Sequence, residues 1–238
     1  MATRKIRKPI DLYYWPTPNG WKISIMLEEC RLPYNVIYVD IAKGDQFKRG
    51  FLKIAPNNRM PAIVDPEGPG GRLISVFESG AILQYLGNIT GKFYPKRLRD
   101  RVGVEQWLYW QMGGLGPMAG QTHHFRQYAP EEIPYAIDRY TNEVNRLYGV
   151  MNTQLKGRNY LAGSYSIADM ACIGWVKPHH RQGQSLDDFR NLKKWFERMM
   201  SRPAVQRGLA VGEEVRRRPE QMKDDKEAWK LLFQQRAR

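Results

Sequence analysis

Cysteine is scarce: the 238 residues hold two, Cys30 and Cys172. Two cysteines build no disulfide framework, which fits a reducing compartment. No Cys-x-x-Cys occurs, so redox chemistry by a pair of protein thiols is excluded. Both cysteines fall on apolar helix faces, the setting of inert, buried thiols. Long apolar runs are missing too, since none approaches the ~20 residues a membrane span needs. The basic start, Met1 to Lys8, has no apolar stretch behind it and does not read as a secretory signal. A cytoplasmic protein that keeps off the membrane is the expectation. Acidic residues are outnumbered 24 to 38, and the resulting formal charge of +14 attracts anions. The excess gathers partly at the ends, in Arg4 to Lys8, Arg216 to Arg218 and Arg236 to Arg238, as solvated tails do. No zinc-finger, RRM or KH motif accompanies it, so nucleic acid is not an expected partner.

What is present is ordered along the chain. Ile10 to Tyr14 is a strand candidate, broken by Pro16-Thr17-Pro18-Asn19-Gly20. Ile23, Met26, Leu27 and Cys30 then recur at helical spacing and predict one apolar face. Tyr34 to Val39 is a second strand, and the β-α-β unit implies a parallel pair. Ala62 to Asp65 and Leu73 to Phe77 flank a Gly/Pro turn and read as an antiparallel hairpin. Glu78-Ser79 opens a helix whose apolar face is Ile82, Leu83, Leu86 and Ile89. This order, β-α-β then β-β-α, is that of a thioredoxin-like fold.

Beyond Pro95 no further strand is predicted. Val104, Trp107, Leu108 and Gln111 suit a helix, with a break expected near Gly113-Gly114-Leu115-Gly116-Pro117. Ile137, Tyr140, Val144, Leu147 and Met151 mark a long helix. Ser166-Ile167-Ala168-Asp169 is a capping box that starts a helix with Met170, Cys172 and Trp175. Leu192, Trp195, Phe196 and Met199 give another, stopped by Arg202-Pro203. The second domain is therefore read as all-helical, with a boundary near residues 90–97.

Three motifs carry the chemistry. Met60-Pro61 stands directly before a strand. A cis bond there turns the Met60 amide and carbonyl outward to pair with an extended peptide; the alternative is an ordinary trans proline at a strand start. Glu78-Ser79 combines helix-start amides, which take a carboxylate, with an acid that can pair with an ammonium. Together they suit an α-amino acid head group such as the γ-glutamyl end of glutathione; the alternative is a plain N-cap serine. Thr17-Pro18-Asn19-Gly20 offers donors at a helix start, where a thiolate is stabilised; Asn19 would serve equally as N-cap.

Other candidates carry less. His123-His124 and His179-His180 are adjacent pairs whose side chains diverge, so no metal is expected, though His123 or His124 can line a substrate cleft. Tyr13 or Tyr14 could activate a thiol. Gly113 to Gly116 lacks the lysine and spacing of a phosphate loop.

Taken in order, Pro16 to Gly20, Gly44-Asp45-Gln46-Phe47, Ala55 to Asp65, Phe77 to Leu83, Gln111 to Met118, Gly120 to Phe125 and Tyr165 to Asp169 resemble the nu-class glutathione transferases, a bacterial group related to the fungal prion-forming nitrogen regulator. The resemblance implies the glutathione-transferase fold: a thioredoxin-like glutathione-binding domain over 9–93, an all-α domain over 98–210 and a basic extension over 211–238. It implies a homodimer that uses glutathione as co-substrate and reduces disulfides with it, holding two glutathiones or one oxidised glutathione. Thr17 and Asn19 would contact the sulfur. Gln46, Lys48, Met60, Pro61, Glu78 and Ser79 would hold the first glutathione, and Arg139 would reach its carboxylates. Where some relatives carry arginine, Lys48 keeps the charge and loses the bidentate fork. Two alternatives stand beside the reductase: a transferase conjugating glutathione to electrophiles, and a glutathione-binding regulatory protein without turnover.

Overall fold

The computed structural model describes residues 8–216, 221 and 224–236. Of the basic termini, Arg4 to Arg7, Arg217, Arg218, Ala237 and Arg238 lie outside the described residues.

Strand β1 (Ile10–Tyr14) alternates buried and half-buried residues, with Ile10, Leu12 and Tyr14 fully buried. It pairs in parallel with β2 (Tyr34–Tyr38), Leu12 facing Val36. Between them runs α1 (Pro18–Cys30), closed by Arg31 in the left-handed conformation. Four-residue α2 (Arg49–Leu52) leads into β3 (Ala62–Asp65), which runs antiparallel to β1. Strand β4 (Ile74–Phe77) pairs antiparallel with β3, completing the order β2-β1-β3-β4. Helix α3 (Ser79–Thr90) returns over the sheet, with Ile82, Leu83 and Leu86 buried. This is the expected thioredoxin-like arrangement.

The helical half contains α4 (Leu98–Trp110), α5 (Gly116–His123), α6 (Pro134–Gln154), α7 (Ile167–Val176), α8 (Arg190–Met200) and α9 (Pro203–Ala210). Ser166 and Asp169 form the capping box of α7. Asp169 is fully buried and also accepts from the Leu161 amide and the Trp195 indole. Burial pushes its pKa up to about 6.

Four expectations are corrected here. Helix α1 does not bury one face alone: Trp21 to Leu27 are all buried, because α3, α7 and α9 all pack against it. At Gly174 of α7 an added Cβ would come within 2.6 Å of the Pro18 carbonyl oxygen, so only glycine permits this approach. Nor does the chain break at Gly113 to Pro117. It stays helical through a π turn at Gln111–Leu115, and a second π turn follows at His124–Tyr128. Pro117 has no N–H to donate to the preceding turn, and a widened turn accommodates that loss. The sequence sets Trp107, Tyr109 and Trp110 close together on α4 and suggests three exposed aromatics; in the structure Tyr109 is 58% exposed, whereas Trp107 and Trp110 are half-buried and pack on each other.

The fourth correction concerns the basic extension. Residues Lys226–Phe233 form a helix, α10, capped by the Asp225 carboxylate. Ala228 is buried against Ala42, and the Trp229 indole donates to the Tyr128 carbonyl at 2.7 Å. Asp225 ahead of Trp229, Leu232 and Phe233 is the helical signal that marks it. Arg216 is not a solvated tail residue either: its guanidinium lies 4.9 Å from the centroid of the Trp21 ring.

Candidate active site

The first turn of α1 opens the site. Thr17, not Asn19, is the N-cap: its Oγ1 accepts from the Gly20 amide at 3.3 Å and stands 3.7 Å from Met60 Sδ. A Cβ on Gly20 would come within 2.3 Å of the Trp15 carbonyl, so the tight turn requires glycine. First-turn amides have no partner inside the helix. Pro18 has none to offer, Thr17 takes that of Gly20, and that of Asn19 remains open. The Asn19 side chain is held from the other domain, its Oδ1 accepting from the Trp175 indole at 3.2 Å. That leaves its NH2 end as the donor for a ligand.

The second element is the Met60–Pro61 peptide, which is cis as expected. The third is the β4–α3 junction. Glu78 is the N-cap position of α3, with φ at 68°, a conformation rare for a residue with a side chain and common at functional sites. It makes no side-chain cap. Ser79 is the first helical residue, not the N-cap, and its hydroxyl is taken up by a residue the sequence did not single out. That residue is Lys22, fully buried, with Nζ 3.2 Å from Ser79 Oγ and 3.2 Å from Met112 Sδ. Burial pushes its pKa down to about 7, against the opposing pull of Cys172 and Glu78.

These elements line one cavity of about 490 Å³. Thr17, Asn19, Met60, Pro61, Glu78 and Ser79 form one wall; Met112, His123, His124, Trp175 and Phe233 form the other. Of these, Met112, Trp175 and Phe233 were not read as site residues. Trp175 carried no local signal beyond the apolar helix, and Phe233 arrives on α10. His123 and His124, weighed from the sequence as alternatives for a place in the cleft, both line the cavity. Burial, then the charges of Arg181 and His180, push His123 down to about 4, so it is neutral near pH 7.

Three expected residues stand outside the cavity lining. Gln46 is buried in a 3-10 turn at Asp45–Phe47 and donates to the Ile41 carbonyl at 3.2 Å. Lys48 is exposed and paired to Asp45 at 2.6 Å. Arg139 sits on the exposed part of α6. The cation that does line the cavity is Arg59. The tyrosine alternative loses its basis. Tyr14 donates to the Val211 carbonyl at 3.0 Å and burial pushes its phenol far up; Tyr13 is raised by burial and by Asp11. Neither cysteine reaches the cavity. Both are buried, and burial raises both thiols. Among the described residues no three of His, Cys, Asp or Glu gather as a metal site, and no helix is long and apolar enough to cross a membrane.

Comparison with known proteins agrees with this geometry. Residues 17–89 match the family model of the glutathione S-transferase N-terminal domain, and residues 117–203 that of the C-terminal domain. The disulfide-bond oxidoreductase YfcG of Escherichia coli K12 is 52% identical over 202 residues, covering 84% of this chain and 94% of its own. A glutathione transferase from Burkholderia graminis, crystallised with two glutathione molecules per subunit, superposes with a TM-score of 0.82 at 41% identity, covering 86% of this chain and 89% of that one. One from Pseudomonas putida, with one glutathione disulfide per subunit, gives 0.82 at 42% identity, covering 87% and 94%. The chain belongs to the glutathione S-transferase family.

Proposed function

We propose that this protein is a glutathione-dependent disulfide reductase whose attacking sulfur belongs to glutathione. The observation that carries the reading is a thiol-free cavity lined in a row by three elements suited to an extended peptide. The Glu78–Ser79 junction suits the γ-glutamyl head, the Met60 backbone before cis-Pro61 suits the middle of an extended tripeptide, and the start of α1 suits the sulfur. Both protein cysteines lie elsewhere. Names and contents of the relatives support the same reading: one is a disulfide-bond oxidoreductase, and others hold two glutathiones or a glutathione disulfide.

The chemistry then follows from the chain's own groups. Thr17 Oγ1, the Asn19 amide and the Asn19 NH2 donate to the sulfur and favour its thiolate. The thiolate attacks one sulfur of a small disulfide R–S–S–R, forming a mixed disulfide and releasing RS⁻, which takes a proton from solvent. The thiolate of a second glutathione attacks the glutathione sulfur of the mixed disulfide. Oxidised glutathione and a second RS⁻ leave. Two electrons pass from two glutathiones to one disulfide, and the protein is unchanged. Neutral His123 and the apolar faces of Met112, Trp175 and Phe233 exclude water from the exchange. Arg59 is the cation suited to the glycyl carboxylate, with Gln46, Lys48 and Arg139 kept as outer contacts that a bound ligand or a partner subunit would have to recruit. We take the molecule as a cytoplasmic homodimer in which region 9–93 supplies one wall of the site and region 98–210, joined by Phe233 of the extension, supplies the other.

Glutathione-dependent reduction of hydroxyethyl disulfide, followed through oxidised glutathione, tests the reading in parallel with conjugation of an activated aryl chloride. Fast conjugation with no disulfide reduction makes the protein a conjugating transferase. Glutathione binding with neither reaction makes it a binding protein.

A further inference from the structure

Beside the main cavity lies a nook of about 120 Å³. The two share Thr17, Pro18, His123 and Tyr128, so they adjoin at the start of α1, where the reading above places the glutathione sulfur. The walls belonging to the nook alone include Trp21, Arg181 and Arg216.

Its chemistry has one sign. The Lys177 ammonium stands 5.1 Å and the Arg216 guanidinium 4.9 Å from the centroid of the Trp21 ring. Burial holds the pKa of Lys177 down, and the Arg216 and Arg181 charges add to that. Arg216 is likewise held down by burial and then by Arg181. Glu213 is the carboxylate that opposes them, and among the described residues no ion pair ties Lys177, Arg181 or Arg216 to an acid. Trp21 itself is 2% exposed, and its indole N–H is buried with no partner. Lys177, Arg181 and Arg216 repel one another around this one nook, and a single anion relieves that repulsion.

We propose that this nook is a subsite for one anionic group, a carboxylate or sulfonate, carried on the disulfide substrate. It rests on the glutathione reading, because only a sulfur held at Thr17 puts the nook beside the bond that is exchanged. The volume corresponds to about four waters, enough for a compact acidic group and too small for a second tripeptide. The substrate class it selects is small disulfides of short acidic thiols, in preference to neutral ones.

Calorimetric titration of the full chain with S-ethylglutathione and with S-carboxyethylglutathione tests the subsite without turnover. The ligands differ by one carboxylate on the far side of the sulfur. The acid should bind about tenfold more tightly, the order of one charge-assisted hydrogen bond. Within each variant the acid-to-neutral ratio is the readout. It should fall toward one in Arg181→Met, return in part in Arg181→Lys, and fall again in Arg216→Met. Equal binding of the two ligands overturns the subsite and leaves the glutathione reading standing, as does a ratio unchanged in Arg181→Met. Sodium sulfate at millimolar concentration, against chloride of equal ionic strength, separates the two sources of the anion. If it abolishes the preference, the nook is a free-anion site and the substrate assignment is wrong. If neither ligand binds, the glutathione reading fails and the subsite fails with it.

Discussion

Replacing Lys22 by methionine tests the site at its most buried charge. The side chains are similar in length, so the packing of α1 is kept while the ammonium and its desolvation are removed. A ligand carboxylate bonded to Ser79 would stand about 5 Å from Nζ. At an effective dielectric of about 20, Coulomb's law gives roughly 3 kcal/mol for that pair. With its pKa near 7, Lys22 is about half charged at neutral pH in the free protein, and the incoming carboxylate draws the remaining proton on. Glutathione should therefore bind ten- to a hundredfold more weakly to Lys22→Met. Wild type should take up a fraction of a proton on binding near pH 7 to 8, and the variant should not. Calorimetry in buffers of different ionisation enthalpy reads both. The folded pKa lies below the unfolded one, so the unfolded chain binds more protons between about pH 7 and 10. Lys22 therefore makes wild type gain about 1.4 kcal/mol of stability per pH unit across that window. The variant should be the more stable protein below pH 7, with the gap closing as pH rises. An affinity within twofold of wild type in a folded Lys22→Met, with unchanged proton uptake, would refute the reasoning.

Thr17→Ala removes the N-cap of α1 as well as a thiolate donor. It should lower stability by about 1 kcal/mol and raise the pKa of bound glutathione, read from thiolate absorbance against pH. Asn19→Ala leaves the Trp175 indole buried without an acceptor, which should destabilise by about 1–3 kcal/mol. It should raise the same pKa by about one unit; an unchanged thiol pKa in both variants would remove the donors from the mechanism. A protein with Cys30→Ala and Cys172→Ala should be less stable through lost packing and keep its turnover per folded molecule, and loss of all turnover in that folded double variant would make a protein thiol the nucleophile. Sedimentation equilibrium at micromolar concentration should give twice the chain mass of 27.8 kDa. Tyr109→Glu, on the most exposed aromatic of α4, should shift the balance toward monomer; a monomeric wild type would refute the dimer.

The β1–β2 pair, the hairpin, α3 and the capping box were legible because each depends on residues close in sequence, whereas the β1–β3 pairing that joins the two halves of the sheet does not. Pairing of β1 with β2 follows from a β-α-β order, and the Ser166–Asp169 box closes within one turn. The backbone parts of the site were legible for the same reason: Thr17, Met60-Pro61 and Glu78-Ser79 each sit at the end of an element. What was hidden depends on how the two halves meet. Lys22 falls off the apolar stripe of Ile23, Met26, Leu27 and Cys30, and periodicity alone reads such a position as exposed. It is buried because the start of α3, at Ser79, and the π turn of the helical half, at Met112, close over its ammonium. Trp175 reads as core, and it is; only the fold brings its N–H to Asn19 across 156 residues.

Arg216 makes the same point for charge. As part of a three-arginine run near the C-terminus it reads as a solvated tail, yet its guanidinium lies over Trp21 and lines a nook with Arg181. A net charge of +14 says that anions are attracted somewhere on the molecule. Placing that attraction beside the start of α1 needs the Trp21 ring on one helix, Lys177 and Arg181 beyond the end of α7, and Arg216 past α9. No window of sequence contains all three. The nook is therefore a property of the packed molecule, and the ring that Trp21 supplies is part of it. Trp21→Phe keeps a ring under the two cations and removes only the indole N–H, which is itself buried away from the opening. The preference for S-carboxyethylglutathione should therefore be kept in Trp21→Phe, and a severalfold fall with the ring in place would refute the assignment of the anion to the cations.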